Sequence, residues 1–299
     1  MQGLFAQSPE ALEERCTTFV GLHVWPLKDR LNWTAWLLNF PDSQELFYAR
    51  CLLESFLYFS EDHADALLRS AFHALSRDVC GGLTLQDERR ASWRGFLGRV
   101  LITYVEGEHP SPTDSGLSFA RRARKVLGIP EERIVRPERA VQLLQRDETI
   151  PVVFLDDFLG SGRQFEATWS RAYAPVGASF ASLAASHQLT VTYVPLLAST
   201  YGLDRVTPLT RGATIHPGHA LSARYSAKGP DSAVWPDGKQ AEGVAFVEAV
   251  SKRAGYQPSD CWGFHGLGLC VAILDTIPDS SLPLFYSNRN NWRPLMVRR

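Results

Sequence analysis

Asp156 and Asp157 stand side by side directly after the apolar run PVVFL (151–155), and Gly160-Ser161-Gly162, Arg163 and Gln164 follow within a few residues. An apolar strand has no packing reason to end on paired negative charge. Two adjacent carboxylates at such a place are good acceptors for vicinal sugar hydroxyls. The glycines let backbone N–H groups turn toward one anion, and a helix starting there adds a favourable field. Ser161 contributes a hydroxyl donor and Arg163 a charge. Diol acceptors beside a phosphate cradle match the chemistry of a ribose 5-phosphate group. The plainer alternative is a strand-end turn with solvated aspartates.

The elements around this stretch must place it at the rim of a sheet. Up to about residue 98 the chain reads as helices. In 42–60, Leu46, Ala49, Leu53, Phe56 and Leu57 recur at helical spacing, and Asp42 with Glu45 resembles a capping box. Ser60 can cap a second stripe of Ala64, Leu67, Leu68, Ala71, Phe72 and Leu75. From residue 99 the texture turns to strands alternating with helices. Arg99–Val105 reads as a strand, and a helix capped by Ser115 or Asp114 ends at Gly128 before Pro130. A short strand is expected at Arg133–Val135, a helix around Glu138–Gln145 and a strand over Ile150–Leu155. A helix after Gln164 and a β-branched run over Leu189–Ser199 complete the alternation. The fold class is α/β, with a parallel sheet flanked by helices and an N-terminal helical portion. The expected division is 1–98 and 99–299, packed as one unit. In such sheets ligands bind beyond the carboxyl ends of the strands, which is where the acid pair falls. Residues 200–260 are less regular, with 226–243 a surface loop and GLGLCVAILD (266–275) a buried strand.

The motif resembles the phosphoribosyl diphosphate (PRPP) motif of type I phosphoribosyltransferases: a hydrophobic strand, two acidic residues, a short spacer, then Thr/Ser-Gly-x-Thr. It reads here Asp156-Asp157-Phe158-Leu159-Gly160-Ser161-Gly162-Arg163-Gln164. The resemblance implies that Asp156 and Asp157 are catalytic and hold the ribose hydroxyls. It implies that Gly160, Ser161, Gly162, Arg163 and Gln164 wrap the 5′-phosphate, and that Mg²⁺ arrives with PRPP rather than in a protein-only metal site. Gln164 stands where Thr is usual, although its amide still donates. Gly160 stands where purine-using members carry a carboxylate, which argues against a standard purine acceptor. The family's pyrophosphate loop would fall at Ser115 and Gly116, at the head of a helix made basic by Arg121, Arg122, Arg124 and Lys125. A capped helix with a solvated charged face explains the same residues.

Segments WTAWLLNF (33–40), ARCLLESFLYFS (49–60) and the tail 277–299 are similar to the PRTase-CE branch, over roughly Asn32 to Arg298. That resemblance implies a type I phosphoribosyltransferase-like fold and a role in bacterial conflict and anti-phage systems, including retrons. It implies an effector held by partner proteins, one of which can carry nucleic acid. Two other readings stay open: a ribose-phosphate sensor without transfer chemistry, and an assembly subunit docking through its helical N-terminus.

The rest of the sequence narrows the field. With 31 Lys+Arg against 32 Asp+Glu the net charge is −1, so nucleic-acid contact needs a local patch. No run approaches the length of a membrane span, and five scattered cysteines suit reduced thiols in a cytoplasm. His216 and His219, with Cys261 and His265, supply zinc-type ligands, but nothing requires the two segments to meet. His265 is also a candidate general acid or base. Trp33, Trp36, Trp262 and Trp292 belong either to the core or to a stacking surface.

Overall fold

The structure is a computed structural model that describes residues 8–107 and 115–298, the side chains of Ser115 and Ser118 excepted. The chain divides into two compact units, one formed by the chain up to Ala64 together with Leu221 onward, the other by Asp65–Ala220. These boundaries differ from the expected division at 98/99. Seven strands lie among the described residues: β1 Leu57–Phe59, β2 Leu101–Tyr104, β3 Val152–Leu159, β4 Val191–Ser199, β5 Ala213–Ile215, β6 His219–Leu221 and β7 Val271–Ile273.

In the Asp65–Ala220 unit the sheet order is β2-β3-β4-β5, and each of these neighbouring pairs is parallel. β6 pairs with β4. All of β2 and the first five residues of β3 are buried, the pattern of strands covered on both faces. Phe154 on β3 lies in register with Tyr193 on β4. Phe165 stacks on Tyr193 at 4.0 Å between centroids, and Phe154 meets Phe180 edge-on at 4.8 Å. Each such aromatic pair adds about 0.5–1.5 kcal/mol beyond its area burial. Phe165 comes from the helix Arg163–Ser170 and Phe180 from the helix Phe180–Ser186, so these rings fix both helices to the sheet.

Several expected elements change length. The strand expected over Ile150–Leu155 runs on to Leu159, so the acid pair lies inside it. Its ladder with β4 continues through Asp156↔Pro195 to Leu159↔Ala198. The strand expected at 133–135 is reduced to a single bridge, Ile102↔Ile134, because a 3-10 turn occupies Glu131–Arg133. The helical stretch expected after β2 is broken at Arg121 into Ser115–Ala120 and Arg122–Leu127, and it ends on left-handed Gly128 as expected.

In the other unit β1 pairs with β7 in parallel, so the run 266–275 contributes a three-residue strand that does not join the main sheet. Trp33, Trp36, Trp262 and Trp292 are all core residues here. The indoles of Trp36 and Trp292 both donate to the Leu284 carbonyl, at 2.8 and 2.9 Å. Asp42 caps the helix Ser43–Glu54 by accepting from the N–H groups of Gln44 and Glu45. The Glu45 carboxylate instead pairs with Arg253 at 2.7 Å. The expected loop 226–243 is cut short by the helix Gln240–Arg253.

Candidate functional site

β2 stops pairing with β3 at Tyr104↔Leu155, while β4 stays paired to Leu159. Asp156 and Asp157 therefore occupy the half of β3 that has lost one neighbour, at the carboxyl end of the sheet. Asp156 is buried, 6% exposed. Its Oδ2 accepts from the Tyr193 hydroxyl at 2.7 Å, and its Oδ1 accepts from the Asp157 N–H at 3.0 Å. Burial, and then the neighbouring Asp157 charge, push the Asp156 carboxyl well above the usual carboxylate range, and the Tyr193 bond opposes this only in part. Tyr193 is itself pushed up, first by burial and then by Asp156. Asp157 is half-buried. Burial raises it as well, held back by the Asp156 side chain and the Phe158 N–H. Two coupled carboxylates in a poorly solvated place will bind a proton, a cation or hydroxyl donors in preference to standing as two free charges.

The glycine loop is held from behind. Ser199 Oγ donates to the Gly160 carbonyl at 2.5 Å and accepts from the Gly202 N–H at 2.9 Å. Arg205 Nη1 donates to the Ser161 carbonyl at 3.0 Å, and Arg205 also pairs with Glu166. Ser199, the last residue of β4, caps the helix Thr200–Val206, and Arg205 lies within that helix. A Cβ on Gly202 would sit 2.2 Å from the Gly160 carbonyl oxygen, so this approach needs glycine. Gly162 has φ +77°, and a Cβ there would meet Val206 Cβ at 2.9 Å. Gly162 then starts the helix Arg163–Ser170. With the carbonyls turned away, the N–H groups of Ser161, Gly162 and Gln164 have no acceptor among the described residues. Orphan N–H groups at a helix start are the kind of donors that can hold an anion. The Ser161 hydroxyl also makes no protein hydrogen bond among the described residues, while the side chains of Arg163 and Gln164 are exposed.

At the second expected subsite, residues 108–114 and the Ser115 side chain lie outside the described residues. Gly116 is a packing glycine: a Cβ would fall 2.5 Å from the Val105 carbonyl oxygen. Arg122 is engaged by Asp65 at 2.8 Å and Arg124 pairs with Glu131, so part of the basic helix is already neutralised. Just after β2, Glu106 accepts from Arg171 at 2.7 Å and from Tyr173 at 3.0 Å, and its N–H donates to Thr168 Oγ1 at 3.0 Å. That network ties the chain leaving β2 to the end of the helix Arg163–Ser170.

Sequence reasoning missed Tyr193, Ser199 and Arg205, which position the pair and the loop. Only the alternation in LTVTYVPLLAS hinted at Tyr193; nothing local marked Ser199 or Arg205. Of the histidines, His216 Nε2 lies 3.0 Å from Asp78. His265 is exposed and belongs to the other unit from the acid pair. No group of three or more His, Cys, Asp or Glu among the described residues is arranged to hold a metal ion.

The parallel α/β sheet flanked by helices is consistent with a phosphoribosyltransferase-like fold. The PRTase-CE family model matches residues 33–298, nearly the whole chain, and the chain belongs to that family. No curated protein matches it. Among the described residues no helix is long and apolar enough to cross a membrane.

Proposed function

We propose that the chain binds PRPP at the acid pair and glycine loop and transfers its phosphoribosyl group to an acceptor. The observation that carries this reading is one rim holding both halves of a ribose-phosphate site. Orphan N–H groups at Ser161, Gly162 and Gln164 stand close in sequence to two carboxylates that burial makes avid for donors. Asp157, the more open of the two, accepts from the ribose hydroxyls. Asp156, held by Tyr193, keeps Asp157 oriented through its N–H. The loop fixes the 5′-phosphate, with the Gln164 amide and Ser161 hydroxyl as further donors. Fixing phosphate and diol together orients the anomeric carbon for displacement. Magnesium typically takes one or two carboxylates plus substrate phosphate oxygens, which suits this pair, and bound with PRPP it supplies neutralisation of the departing pyrophosphate. The PRTase-CE membership supports a role as the effector of a bacterial defence system, gated by partner proteins. The test is calorimetry with PRPP and Mg²⁺. Asp157→Ala should weaken binding at least about tenfold, since a hydrogen bond to a charged group contributes roughly 1.5–3 kcal/mol. Unchanged affinity in that variant refutes the assignment.

A second reading rests on Gly160, which leaves the loop without an added carboxylate, and on the exposed Gln164. It makes the chain a ribose-phosphate sensor. Saturable PRPP binding with no pyrophosphate release in the presence of its partners would select it.

A further inference from the structure

A second concave site lies wholly within the unit that contains β1 and β7. It is a cavity of about 590 Å³, a volume suited to a nucleotide-sized ligand. Its wall carries two cations, Lys228 and Arg289, and two carboxylates, Asp260 and Asp279. Among the described residues none of these four makes an ion pair. The Arg289 guanidinium instead lies over the Tyr256 ring at 4.5 Å and donates to the Gly255 carbonyl at 3.3 Å. Lys228 stands over Trp262 at 5.7 Å. Asp260 accepts from the neighbouring Ser259 hydroxyl at 2.8 Å. Opposite charges held apart around one cavity suit a ligand that brings both donors and an anion.

The aromatic lining is held on a strained turn. Phe264 is 42% exposed, and its ring meets the exposed His265 ring at 4.5 Å. His265 is left-handed, with φ 57°. Gly263, with φ +71°, could not carry a Cβ, which would lie 2.4 Å from the Ser281 carbonyl oxygen. The Phe264 N–H donates to the Asp279 carbonyl at 2.7 Å, which fixes the turn against the cavity wall. A non-glycine left-handed residue that presents an exposed ring is the kind of strain that marks a binding surface. Tyr256 and Tyr286 line the same cavity half-buried.

We infer that this cavity binds a nucleotide unit. The base stacks on the aromatic rings, Asp260 and Asp279 accept from its amino group and ribose hydroxyls, and Lys228 and Arg289 meet its phosphate. The unit is either a free nucleotide or one residue of a single-stranded nucleic acid. The inference does not rest on the acid-pair site.

The experiment is calorimetry on the full chain with three probes: AMP, a 5′-phosphorylated ten-residue oligoadenylate, and ribose 5-phosphate to report on the acid-pair site. AMP or the oligonucleotide should bind saturably. Phe264→Ala should weaken that binding tenfold or more, as expected for removing a base-stacking ring, with no change in melting temperature. His265→Gly removes a ring while relieving the left-handed backbone, so it should lose affinity with stability kept or raised. AMP carries the same ribose 5-phosphate, so its binding is read in the Asp157→Asn background, which weakens ribose 5-phosphate at the acid pair and should leave the AMP binding that depends on Phe264. Equal affinity for AMP and oligonucleotide identifies a free nucleotide, and a tenfold preference for the oligonucleotide identifies a strand. The inference is overturned if neither probe binds, if Phe264→Ala and His265→Gly leave binding unchanged, or if Asp157→Asn alone abolishes it.

Discussion

Asp156 holds a carboxyl group where its charge is poorly solvated, and this has a measurable pH signature. Its folded-state pKa is raised, so the folded protein binds this proton more tightly than the unfolded chain, whose aspartate titrates near 3.9. Stability from this group is fully present below about pH 3.9 and is lost as pH rises from there through the folded value. Asn at the same place cannot ionise and can still accept from Tyr193. Asp156→Asn should therefore melt above wild type at pH 7–8, by about 2–4 °C for each kcal/mol relieved, with the advantage closing toward pH 4. Thermal melts across that range test it, and a pH-independent difference would remove burial as the cause. The pair itself was legible, because two acids after five apolar residues have no bland packing role. Tyr193 was not, since its bond to Asp156 depends on which strand lies beside β3, a fact set by the register Phe154↔Tyr193.

The glycine loop has its shape imposed by the neighbouring element. Ser199 serves both as the cap of the helix Thr200–Val206 and as the donor to Gly160. Ser199→Ala should cost about 0.5–2 kcal/mol as a lost cap and leave the Gly160 carbonyl without its donor. The expected result is a lower Tm and a weaker ribose 5-phosphate affinity together. A lower Tm with unchanged affinity would show that the loop holds its shape without Ser199. The length of β3 was misjudged for a related reason. Aspartate is depleted from strands, so a local reading stops at Leu155. The ladder continues because β4 supplies partners as far as Ala198, and that ladder is a long-range fact.

The two-unit division was the least legible feature. β1 is a three-residue strand inside a helical stretch, and its partner is β7, near the other end of the chain. Composition placed a change of texture at residue 99. Packing instead groups the early helices with the tail, through contacts such as Trp36 and Trp292 on the Leu284 carbonyl. The Asp65–Ala220 unit is one continuous stretch with its own aromatic core. Expressed alone, 65–220 should give a cooperative melt by circular dichroism and retain ribose 5-phosphate binding; a non-cooperative melt would show that its core is insufficient. The same arrangement sets an order of events during synthesis. A ribosome releases β1 early, but Val271 follows only after the whole inserted stretch has been made, roughly 10–40 s later at 5–20 residues per second. Throughout that interval the inserted unit can fold while the early helices wait without their core. The unit that contains β1 and β7 is complete only after β7 has been made, so a message cut between Ala220 and Val271 yields the sheet with its acid pair but not the cavity around Phe264.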